Sequence, residues 1–254
     1  GAAGARPPAS RARKPVSKVT RDTNRKQFRA NSYALREHVG SVSPQRIRDC
    51  GRTRIDSNVK VSAGANGAHF SGVATCSSVW ECPVCRAKLC VQRAHQIGRV
   101  ATAFHAEHGP ARDEEKDEYR SFLLTFTIRH TRADALSDIG GKLLDAKRRF
   151  YQGGDWKRWK ARWGAEYISG WETTYGDANG WHPHLHVLVL TREPMTRAQI
   201  EAQAEWFRAR WLRAVAEKVD GVKGWRDGDT PTTHQPDESH GLDFRASTAG
   251  EYVT

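Results

Sequence analysis

"EYISGWETTYGDANGWHPHLHVLVL", residues 166–190, holds two strand-length runs on either side of a turn. Side chains along a strand alternate between faces, so His182, His184 and His186 share one side while Pro183, Leu185 and Val187 take the other. The Asn-Gly pair in "DANG" favours a tight hairpin between the runs. An antiparallel register that pairs even positions with even sets Glu172 opposite His184 or His186. Two imidazoles and a carboxylate leave open positions on a divalent ion, which is the composition of a catalytic site and not of a closed structural one. Nitrogen and oxygen donors suit Mg²⁺ or Mn²⁺, and Zn²⁺ or Co²⁺ would be hard to exclude. The plain alternative is a histidine ladder on a wet sheet face. His182 shares the face without an assigned role.

Working outward, "YRSFLLTFTIRH" reads as an apolar strand, and "ALSDIGGKLLDAKRRFYQ" and "DWKRWKARWG" read as helices. "MTRAQIEAQAEWFRARWLRAVAEKVDG" is a long amphipathic helix. A polar loop with "DTPTTHQPDESHG" leads to "LDFRAS", a strand, and "TAGEYVT", the start of a helix. This order predicts an α+β fold, with helices packed on an antiparallel sheet. The tryptophans among Lys and Arg in "DWKRWKARWG" fit two readings equally: a core stripe at helical spacing, or platforms on which unpaired bases stack.

Forty-one Lys and Arg against 29 Asp and Glu give a net charge of +12 over 254 residues. That balance suits a polyanion, since each neutralised phosphate releases counterions. No apolar run reaches the roughly 18 residues of a membrane span, and no signal-peptide pattern opens the chain. A cytoplasmic protein without membrane contact is expected. Residues 1–40 read as a basic, flexible arm.

Five cysteines are present, an odd count that argues against a disulfide framework and for metal or free thiols. Cys82-Pro83-Val84-Cys85 is a knuckle whose turn can aim backbone amides at both sulfurs. Cys50, Cys76, Cys82 and Cys85 supply the four ligands of a structural Zn²⁺ site, with Cys90 or His95 as substitutes. The helix that follows, "RAKLCVQRAHQIGR", is basic and could hold duplex DNA. The acidic loop "PARDEEKDE" then separates a zinc- and DNA-binding segment, 41–110, from a second domain, 118–254.

"HPHLHVLVL" resembles the His-hydrophobic-His motif of the HUH endonucleases, above all the single-tyrosine rolling-circle replication initiators of bacterial plasmids. "FLLTFTIRH" is similar to their first motif. "RDCGRT" with "CSSVWECPVC" is similar to their cysteine-bearing segment, and "AGEYVT" to the helix of their nucleophilic tyrosine. The resemblance covers roughly residues 45–254. It implies a ferredoxin-like palm and a nicking domain over 118–254, which cleaves and rejoins one DNA strand with a divalent metal at Glu172, His184 and His186. It implies Tyr252 as nucleophile, origin DNA as partner and a host helicase as a candidate recruit. Relatives place a lysine one turn after the tyrosine, which here would fall beyond Thr254. Some place a carboxylate one turn before it, where this chain has Thr248 and Ala249. Glu251, the remaining candidate for activating water, would point about 100° away from Tyr252 around a helix. Within the same class stand HUH transposases and relaxases. Outside it stands a non-catalytic, zinc-dependent nucleic-acid-binding module.

Overall fold

The protein is described from a computed structural model, covering residues 27, 30, 31, 33, 34, 44–64, 67–79, 81–237 and 241–247. The chain divides into two compact units, Gly1–Arg93 and Ala94–Thr254.

In the first unit, a short helix α1 (Gln45–Asp49) precedes the hairpin β1 (Lys60–Gly64) and β2 (Gly67–Ser71), and helix α2 (Pro83–His108) begins at the cysteine knuckle. Its buried residues are Ile47 and the four cysteines 50, 76, 82 and 85, with Val84 and Leu89 packed against them. One aliphatic side chain among four thiols is a small apolar centre.

The second unit holds β3 (Arg112–Asp113), β4 (Glu118–Phe126), α3 (Leu136–Phe150), α4 (Gly154–Trp163), β5 (Glu166–Gly176), β6 (Gly180–Thr196), α5 (Arg197–Lys218) and β7 (Leu242–Ala246). The five strands form one antiparallel sheet: β6 lies between β5 and β4, and β3 and β7 share the other edge of β4. The expected α+β class, helices on an antiparallel sheet, is the observed one.

Each helix turns a periodic apolar stripe to the sheet. Ile139, Leu143, Ala146 and Phe150 do so on α3, and Trp156, Trp159 and Trp163 on α4. These tryptophans are at most 7% exposed, so the core-stripe reading holds for them over base stacking. Helix α5 opens on a reciprocal capping box: the Gln199 amide donates to the Thr196 hydroxyl at 3.4 Å, and the Thr196 amide to the Gln199 side chain at 2.9 Å. Its Trp211 is fully buried and donates its ring N–H to the Thr127 carbonyl at 2.8 Å.

Strand β6 serves two cores. Its odd residues Leu185, Val187 and Val189 join the main core under the three helices. On the other face, Leu188 and Leu190 are buried with Ala101, Ile97 and Phe104 of α2. Along that second face the histidines continue the row, uncovered by this cluster. The hairpin turn closes with Gly176 paired to Gly180. Gly180 has φ +74°, and a Cβ there would lie 2.8 Å from the Arg132 Cα, so only glycine fits. The loop after α5, read from sequence as merely polar, buries Trp225 and Gln235. In it the Asp220 carboxylate accepts from the His234 ring at 2.5 Å and the Thr232 hydroxyl at 2.5 Å.

Candidate functional site

Two groups of metal-ligating side chains stand out, one in each unit. In the first, the donor atoms of Cys50, Cys76, Cys82 and Cys85 all lie within 4.8 Å of one another, and the four residues are buried. Among the described residues this is the group of three or more His, Cys, Asp or Glu that converges so closely. The Cys50 and Cys85 sulfurs are 3.5 Å apart, and those of Cys76 and Cys85 are 3.7 Å apart. Sulfurs about 2.3 Å from a tetrahedral ion would stand about 3.8 Å from each other. The four cysteines could therefore hold a metal ion with little adjustment.

The sulfurs are also supplied with amide donors. The Cys76 amide points at the Cys50 sulfur and the Ser78 amide at the Cys76 sulfur, each at 3.4 Å. Burial raises the Cys50 and Cys76 thiols above their ordinary range. At Cys82 burial pulls the same way, but the Cys85 and Val84 amides and the neighbouring thiols outweigh it and lower the thiol. Such donors favour a thiolate, the form that binds metal. Cys90 is exposed and stands outside the cluster.

The second group is the histidine face. The register pairs Glu172 with His184, Gly170 with His186 and Thr174 with His182, so even positions do pair with even. The Glu172 carboxylate reaches diagonally to the Nε2 of His186 at 2.8 Å. On the other side, Thr125 of β4 is the register partner of His186, and its hydroxyl lies 3.1 Å from the ring Nδ1. Thr125 can thereby orient the ring through Nδ1, as partners of metal-bound imidazoles do, while Nε2 and the Glu172 carboxylate face each other where a shared ion would replace their hydrogen bond.

His184 sits between its neighbours with its Nδ1 buried and without a hydrogen-bond partner. Burial, then the charges of His182 and His186, lowers it from 6.5 to about 4, against the opposing pull of Glu172. The shift favours the neutral imidazole, which keeps a nitrogen lone pair to give. His182, the member without a role, pairs through Nδ1 with His130 Nε2. The Nδ1 of His130 is itself buried and unpaired. Glu172, His184 and His186 share this face without closing to the spacing of the cysteines.

Sequence reasoning passed over three residues here. His130 closes the quoted stretch "FLLTFTIRH" but was given no role. Thr125 faces the histidines only through the pairing of β4 with β6. Asp243, opposite Thr125 on β7, lies on the same side of the sheet and is bonded to Arg245 at 3.5 Å. Knowing the strand order would have exposed the last two. Tyr252 and Glu251, the expected nucleophile and its neighbour, lie outside the described residues. No described helix is long and apolar enough to cross a membrane.

The chain is similar to two Streptomyces proteins. One, of Streptomyces lividans, named "Protein rep", is 28% identical, the match covering 68% of this chain and 42% of that protein. The other, of Streptomyces cyanogenus, named "Neomycin resistance protein", is 29% identical over 53% of this chain and 35% of that protein. The chain thus spans less than half the length of either relative. No family model and no solved structure matches it.

Proposed function

We propose that this chain is the nicking part of a plasmid replication initiator, which cleaves one DNA strand at an origin and later rejoins it. The observation that carries the reading is the histidine face: two imidazoles and a carboxylate on adjacent strands, one imidazole with a buried ring nitrogen that has no hydrogen-bond partner, the other between Thr125 and Glu172. The Rep-named relative and the +12 charge support it.

The reaction is a transesterification. The Tyr252 phenolate attacks the scissile phosphorus, the bond to the 3′-oxygen breaks, and the strand is left as a 5′-phosphotyrosine and a free 3′-OH. The same steps in reverse reseal it. Glu172, His184 and His186 would hold a divalent ion, Mg²⁺ or Mn²⁺. When bound it supplies Lewis-acid charge to a non-bridging phosphate oxygen. Thr125 fixes the His186 ring, while Leu185 and Val187 root the strand in the core. Ala246 of β7 pairs with Phe122, four residues along β4 from Phe126. Tyr252 follows six residues later, a reach of up to about 20 Å, against the roughly 13 Å back to the histidine end of the strand. The cysteine site would hold structural Zn²⁺, and origin DNA is the partner.

Labelled single-stranded origin DNA with Mn²⁺ tests this. A covalent adduct is expected, lost in Tyr252→Phe. His184→Ala should abolish cleavage while leaving DNA binding near normal. Binding without any adduct under any divalent metal would refute the nickase and favour a non-catalytic zinc module.

A further inference from the structure

On the helical side of the sheet, away from the histidines, a cleft of about 320 Å³ opens between the end of α3, the start of α4 and the middle of α5. This lies in the lower range of small-ligand sites, roughly 300–1,000 Å³. Arg149, Arg210 and Arg213 line it, together with Trp206, Gln152 and Asp155.

The three cations are unevenly neutralised. Arg149 is paired with Glu217 at 2.6 Å, and Asp155 is engaged by Arg158. Arg213 is exposed and has no hydrogen bond or ion pair among the described residues. Arg210 is held in position: its Nε donates to the Phe150 carbonyl at 2.6 Å and its Nη2 to the Gln152 carbonyl. Its guanidinium lies 5.5 Å from the Trp206 ring centre and 5.6 Å from that of Phe150. Two of its five N–H groups are thereby used, and three remain to donate. Burial lowers Arg210 from its usual value and the charges of Arg149 and Arg213 add to that, with Asp155 opposing. Guanidiniums gathered at a repulsive cost, one fixed by two carbonyls and set over aromatic rings, suit an incoming anion. The forked donor set matches the oxygens of a phosphate.

We propose that this cleft is a phosphate-binding site that takes a backbone phosphate of a nucleic-acid strand, as an anchor separate from the histidine face. It does not depend on the nicking reaction. The net charge of +12 favours a nucleic-acid backbone over free phosphate as the source.

The test uses the full chain, a fluorescent oligothymidylate followed by anisotropy through a salt series, and inorganic phosphate as competitor. In Arg213→Ala, affinity should fall several-fold and the slope of log affinity against log salt should shrink by about 0.7, one single-strand phosphate contact. Arg213→Glu should weaken binding further. Competition by phosphate that disappears in Arg213→Glu identifies the same site acting on the free ion. Unchanged affinity, slope and phosphate competition in both variants, with unchanged circular dichroism, would overturn the proposal. His184→Ala should keep the wild-type slope, so failure to nick and failure of the cleft are read separately.

Discussion

If the four cysteines hold a structural ion, stripping it should unfold the first unit and leave the second intact. The apolar centre of the first unit is Ile47 among four cysteines. Burying one isoleucine contributes about 1.5–3 kcal/mol. A structural zinc ion contributes about 10–16 kcal/mol, so an ion held here would outweigh the apolar contacts several-fold. Cys82→Ser should be as damaging as a chelator, because the Cys85 and Val84 amides converge on the Cys82 sulfur and a serine cannot replace that thiolate on the metal. Hydrogen exchange read by mass spectrometry, alongside metal analysis, checks both. Amides of residues 44–79 should lose protection on chelation, while the sheet over 118–246 keeps its own. One zinc per chain is expected in the native protein and in Cys90→Ser, whose thiol is exposed. Undiminished protection of 44–79 after metal removal would refute the reasoning. So would wild-type zinc affinity in Cys82→Ser.

Other outcomes follow from the sheet. His184 is lowered to about 4 from an ordinary 6.5, so the fold favours its neutral form; stability is held above about pH 6.5 and declines as pH falls toward 4. Urea midpoints across that range should fall less steeply in His184→Gln, and an equal fall in the variant assigns the effect to other groups. Trp211→Ala should cost about 3–5 kcal/mol by urea denaturation. Trp211→Phe should cost about 1–3 kcal/mol, since the buried Thr127 carbonyl would lose its donor. Gly180→Ala meets the Arg132 backbone at positive φ and should lose more than about 1 kcal/mol; a neutral result would mean that the turn can relax.

The hairpin and its register were legible because they are local: a period of two, a turn pair, and three intervening residues. Glu172 does face His184. Its bond to His186 was not legible, because a diagonal contact depends on side-chain reach as well as on register. Thr125 and His130 meet residues more than 50 positions away, and such pairings follow strand order, which no local pattern encodes. The same holds for the loop after α5, whose polar composition hid a buried Trp225 and an Asp220–His234 pair. The tryptophans of α4 were ambiguous because one spacing suits both a core stripe and a basic, base-stacking face. Their burial came from packing beside Phe207 and Tyr167, which lie on other elements. The knuckle and its two upstream thiols were readable from spacing, but Cys90 and His95 stayed open as substitutes until the fold left Cys90 exposed and outside the cluster.

Strand β6 carries the histidine row, two leucines under α2 and the odd-numbered core residues on one uninterrupted backbone. One consequence concerns length rather than composition. A single residue inserted between Gly180 and His184 would exchange the two sides for the part of the strand it displaces, carrying imidazoles under the helices and aliphatic residues into the open. Related chains should therefore differ freely at individual exposed positions of this hairpin, yet hold the count from Gly180 to Leu190 constant. Additions should collect in the turn at 177–179, where extra residues leave the pairing beyond them undisturbed.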